Sequence, residues 1–132
     1  MNILLMRNYL KVPILNDEYK VIFCFGSPDK IRKVLDNWHY PKEDVAQHLN
    51  NRRGICFNRI GCHPVIAMPD FPDTPQEIGT LAHEACHAVE YILQNIQQPV
   101  GDELFAHSVG AIVRKVLASR DLLTGKRENH EK

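Results

Sequence analysis

A chain of 132 residues that is 44% apolar has the length and hydrophobic content of one compact domain, which argues against wholesale disorder. Sixteen basic residues balance sixteen acidic ones, so the basic excess that nucleic acid or an anionic membrane surface calls for is missing, and neither is expected as a partner. No apolar run approaches the roughly 20 residues of a membrane span. Met1 to Leu15, broken by Arg7, Lys11 and Pro13, lacks the apolar stretch and cleavage site of a signal peptide, so a cytoplasmic location is expected.

Taken in order, the chain first offers a weak strand over 3–12 and a turn at Asn16-Asp17. A stronger strand follows from Tyr19 to Phe25, rich in β-branched and aromatic residues and closed by Gly26. Ser27 and Pro28 are an N-cap and first-position pair for a helix to about Asn37. A short helix is expected from Pro41 to about Asn50, with Val45 and Leu49 on its buried side. Gly54 to Ile60 and Pro64 to Met68 read as two strands of a hairpin joined at Gly61-Cys62. Pro64 and Pro69 bracket the second strand. Because proline cannot donate to a ladder, that strand is expected at a sheet edge.

Thr74-Pro75-Gln76-Glu77 then supplies an N-cap, a first-position proline and the glutamate of a capping box, opening a helix to about Gln97. Its apolar residues, Ile78, Leu81, Ala82, Ala85, Val89, Ile92, Leu93 and Ile96, form one stripe. Gly79, His83, His87, Glu90 and Gln94 occupy the opposite side. Pro99-Val100-Gly101 breaks the chain before a last helix, Asp102 to Ser119, whose stripe is Phe105, Val109, Ile112, Val113 and Val116. Residues 120–132 read as a flexible tail. The expected class is α+β in a single domain: a mostly antiparallel sheet with helices over 1–73, then two helices over 74–119.

The stretch His83-Glu84-Ala85-Cys86-His87 carries the chemistry. Residues four apart on a helix lie one above the other, so His83 and His87 can aim two imidazole nitrogens at one zinc ion. Glu84, about 100° round the helix, stays off the metal and is free to act as a base. The bland alternative is two solvated histidines on an amphipathic helix. The four cysteines, Cys24, Cys56, Cys62 and Cys86, form no C-x-x-C pair. Cys56, Cys62 and His63 match no common zinc spacing, so free and mostly buried thiols are expected.

A catalytic zinc needs a third protein ligand and an open position. Leu93 stands where a third histidine six residues after His87 would be. The next helix offers Asp102, Glu103 and His107. Glu103 is favoured because Ala106 and Gly110, on the same surface, permit close helix approach. His107 shares that face and is a candidate for orienting a ligand or meeting substrate. The competing reading of Glu103 is an acid that suits the helix dipole.

These residues, Thr80 to His87 together with Asp102 to His107, resemble a minimal zincin metallopeptidase of the gluzincin type. The resemblance covers about Val65 to Ile112. It implies zinc as cofactor, a glutamate ligand on the following helix, and a sheet-edge strand beside the active-site helix. That edge would be Val65, Ile66, Ala67 and Met68, open to an extended peptide by strand addition. Where larger relatives have an aspartate one turn after the ligand glutamate, this chain has His107.

The expected activity is hydrolysis of a peptide bond in a peptide or protein substrate, by a zinc-activated water with Glu84 as general base. Tyr91, His107, Tyr40 and His63 are candidates to steady the oxyanion. Two alternatives stand beside this reading: a zinc hydrolase of a non-peptide amide, and a non-catalytic binding module on the same frame.

Overall fold

The computed structural model describes residues 9–41, 53–96 and 101–125. Two strands come first, β1 (Tyr9–Ile14) and β2 (Tyr19–Phe25), followed by helix α1 (Pro28–Asn37) and strands β3 (Ile55–Phe57) and β4 (Val65–Met68). Three helices complete the order: α2 (Pro75–Asn95), α3 (Asp102–Ala118) and α4 (Arg120–Thr124). The expected helix over 41–50 and the start of the first strand, 3–8, lie outside the described residues, apart from Pro41. The domain is α+β, and its sheet runs in the order β1-β2-β4-β3.

β1 and β2 form an antiparallel hairpin, with Val12 opposite Val21. Its turn takes Leu15, Asn16 and Asp17 through positive φ (55°, 57° and 69°), which suits Asn and Asp and strains Leu15. β3 and β4 are also antiparallel, with Cys56 opposite Ile66. Between the two hairpins, β2 and β4 run parallel, with Phe23 opposite Ile66. The sheet is therefore mixed, with two of its three pairings antiparallel.

The same pairing corrects the expected edge. Among the described residues β4 has a neighbour on each side, and the outer strands are β1 and β3. Pro64 and Pro69 flank β4 without interrupting it. The Ile22 amide donates to the Pro64 carbonyl at 2.9 Å and the Gly26 amide to the Met68 carbonyl at 3.0 Å. All four residues of β4 are buried, as an interior strand covered on both faces requires.

Strand periodicity sorts the core into two halves. Val21, Phe23, Ile66 and Met68 face α2 and α3, together with Leu10, Val12 and Ile14. Ile22, Cys24, Val65 and Ala67 face α1, meeting Ile31, Val34 and Leu35. α1 opens as its sequence predicts, with Ser27 Oγ accepting from the Lys30 amide at 3.3 Å and Pro28 at the first position.

α2 opens on the full capping box: Glu77 N donates to Thr74 Oγ1, and Glu77 Oε1 accepts from the Thr74 amide at 3.0 Å and the Asp73 amide at 2.8 Å. Its buried side contains Leu81, Ala85, Ala88, Val89, Ile92 and Leu93, plus Glu84. On α3 only Ile112 and Val116 of the expected stripe are fully buried, while Phe105, Val109 and Val113 pack from the margin. The tail expected from 120 begins as structure: α4 buries Leu123, and Arg120 makes a two-pronged ion pair with Asp73 (2.6 and 2.9 Å) while lying over the Phe71 ring.

Candidate metal centre

The capping box fixes where α2 starts and therefore which way its residues face. Gly79, His83, His87, Glu90 and Gln94 are all exposed along one side. His83 and His87 project outward one turn apart, with ring centroids 4.8 Å apart and planes at 81°. Their Nε2 atoms are 3.2 Å apart. A metal–nitrogen bond of about 2.0–2.1 Å to each would subtend roughly 100–105°, near the tetrahedral angle that zinc prefers. Without a cation, one ring donates to the other across the same gap, its tautomer following from that choice.

Glu84 sits differently. It is 9% exposed, turned from the histidine face toward β3. Gly54, just before β3, allows this approach: a Cβ there would lie 2.9 Å from Thr80 Cγ2 and 3.5 Å from Glu84 Cγ. Next along, Cys56 feels the carboxylate. Burial, and after it the charge of Glu84, pushes its thiol up to about 12, so it is uncharged at neutral pH. A shallow depression of about 430 Å³ opens over these groups, lined by Arg53, Gly54, Gln76, Gly79, Thr80, His83 and Glu84. No protein-family model, curated protein or solved structure matches the chain.

Among the described residues, no third His, Cys, Asp or Glu joins His83 and His87 in a group able to hold a metal. Glu103 is thus not brought to the pair, and neither is Asp102. The reason is axial. Leu104, His107 and Ser108 share a cavity with Asn95 and Ile96, which places the first turns of α3 beside the end of α2. His87 lies eight residues back from Asn95, about 12 Å along the axis at 1.5 Å per residue. His107 lines that cavity, away from the depression over Glu84.

The oxyanion candidates also separate. The Tyr40 hydroxyl is occupied, lying 2.9 Å from the Phe57 carbonyl and 2.6 Å from the His63 carbonyl. His63 packs edge-on against Trp38, and burial, followed by Lys20 and Lys11, lowers its pKa. Tyr91 is one turn beyond His87, but its hydroxyl is shut off from solvent, with no hydrogen-bond partner among the described residues. Sequence reading missed the neighbours of Glu84, namely Gly54 and Cys56. Their place depends on which strand lies outermost, and only the pairing decides that.

Proposed function

We propose that the chain is a zinc-dependent metallopeptidase on a minimal zincin-like frame, with His83 and His87 as ligands and Glu84 as general base. The observation that carries this reading is the 3.2 Å separation of the two Nε2 atoms, with the buried Glu84 on the adjoining side of the same helix. A zinc ion bound there would acidify a water and polarise a carbonyl.

The chain's own residues do the rest. Glu84 takes the proton of the attacking water and delivers it to the leaving amine. Its packing against Gly54 limits the rotamers it can adopt. Among the described residues β3 pairs only with β4. Its outer edge, Ile55 to Phe57, is therefore the place for an extended peptide, replacing Val65 to Met68 in that role. Glu103 remains the carboxylate assigned by resemblance to the third ligand position, and supplying it would draw the first turn of α3 toward the histidines. The four cysteines are free, in keeping with a reducing cytoplasm. Among the described residues no helix is long and apolar enough to cross a membrane.

The two-donor arrangement also supports a second reading, a zincin-like binding module without turnover. Metal analysis with peptide digestion separates the two. A peptidase releases new termini and stops doing so in Glu84→Gln with zinc retained, whereas a module binds zinc and cleaves nothing. Parallel trials of small amides and a peptide library separate peptide from non-peptide hydrolysis. Loss of zinc affinity in Glu103→Ala but not in Asp102→Ala assigns the third ligand, and the reverse result moves it.

A further inference from the structure

The depression over His83 and Glu84 adjoins a second one of about 450 Å³ that reaches Pro69, Asp70 and Thr74 at the start of α2. Arg53 and Gln76 line both. Arg53 brings a cation that no working pH removes, with its donors arranged as a planar fork. Its side chain is exposed, and among the described residues it makes no hydrogen bond or ion pair. Arg32 and Arg120, by contrast, are each paired with an aspartate. Among the described residues Glu84 is the only acid lining the first depression. Asp70 and Glu77 line the second, and neither pairs with Arg53.

The backbone fixes where this cation stands. Gly54 follows it, and a Cβ there would lie 3.4 Å from Met68 Cγ and 3.5 Å from Glu84 Cγ. The chain at Arg53 is thus held next to the proposed general base. β3 begins one residue further on, at Ile55. A peptide extended along the outer edge of β3 advances about 3.3 Å per residue, so a bond over Glu84 has Arg53 within about two residues of it.

We infer that Arg53 is a specificity-determining residue, which selects peptides carrying a carboxylate close to the scissile bond. The guanidinium fork takes both oxygens of that carboxylate. An acidic side chain and a free C-terminus present the same two oxygens, so the chemistry of recognition is shared. A peptide without either leaves Arg53 in water and gives up this contact alone. The inference rests on the metallopeptidase reading, because that reading lays the peptide along β3.

The test titrates zinc-loaded full-length protein with short Ala-Gly peptides, reading affinity by NMR shifts and cleavage by mass spectrometry. One series is blocked at both ends and carries a glutamate at each position in turn. A second has glutamine in its place, and a third has no acidic side chain but a free C-terminus. At least one carboxylate peptide should bind about three- to tenfold tighter than its neutral counterpart, the scale of a partly solvated arginine–carboxylate pair, with a shift at the Arg53 Nε–H. A preferred glutamate position assigns the side chain as the source, and preference for the third series assigns the terminus. Arg53→Gln should remove the preference, and Arg53→Glu should turn it toward lysine peptides. Both variants should melt as the parent does, since Arg53 makes no bond among the described residues. No binding by any peptide, equal affinity for acid and neutral peptides, or a preference kept in Arg53→Gln would overturn the assignment. Peptides that bind with the preference yet stay intact would instead remove the peptidase reading and leave Arg53 as a carboxylate-recognising residue.

Discussion

Two glutamates on one helix, seven residues apart and within about 20° of the same face, do opposite things. Glu77 lies at the surface in the first turn of α2 and accepts two backbone N–H groups, from Thr74 and Asp73. Those bonds hold its carboxyl below the ordinary carboxylate range. Glu84, two turns on, is buried against Gly54 and Cys56 and takes no part in capping. The first carboxylate is committed to starting the helix. The second lies on the side of the helix toward β3 and lines the depression there. A carboxylate lining a depression beside two paired histidines is a candidate for chemistry.

Exchanging the two should separate stability from activity. Glu84→Gln carries the largest expected effect, a fall in peptide hydrolysis of roughly 10²–10⁴-fold, the range for losing a general base, with zinc content unchanged. Glu77→Gln should leave hydrolysis intact and lower the melting temperature. Turnover by Glu84→Gln at the parental rate would break the contrast.

Gly54→Ala tests the contact that buries Glu84. The added methyl would meet Thr80 Cγ2 at 2.9 Å, and turning that side chain away would break the bond from its hydroxyl to the Gln76 carbonyl at 3.1 Å. A loss of about 1–3 kcal/mol is expected, the usual cost of overpacking, measured by urea unfolding. Parental stability would mean that the start of β3 is loosely held. Thr74→Ala, removing the other half of the capping box, should cost about 1 kcal/mol in the same assay.

The smallest effect is in the acid limb. Because the folded pKa of Glu77 is depressed from 4.5, its contribution is complete above that pH and is lost as pH falls through the folded value. Glu77→Gln should therefore flatten the stability profile below about pH 4.5 and change nothing in slope near neutrality. An unchanged acid limb would detach the capping bonds from folding.

Local signals in the sequence survive in the fold wherever local forces decide. Thr74-Pro75-Gln76-Glu77 started its helix at Pro75, Ser27-Pro28 did the same at α1, and Asn16-Asp17 made its turn. The exposed line His83, His87, Glu90 also follows from the 3.6-residue period. Partnerships between distant segments were not readable in this way. β2 and β4 pair in parallel across more than forty residues, and nothing in either strand states its neighbour. Two prolines pointed to an edge at Val65 to Met68, yet an unbroken apolar run without alternation fits a strand covered on both faces. The position of Glu103 turned on helix register. It stands in the first turn of α3, beside the end of α2, whereas the histidines lie near that helix's middle.

Zinc stoichiometry is the most direct measurement. Protein purified without added metal is titrated with zinc and analysed by competition with a chromophoric chelator, alongside His83→Ala and His87→Ala. The account predicts one tight ion per chain, lost in either variant while both stay folded. Zinc binding that survives both substitutions, or no binding by the parent protein, would contradict it.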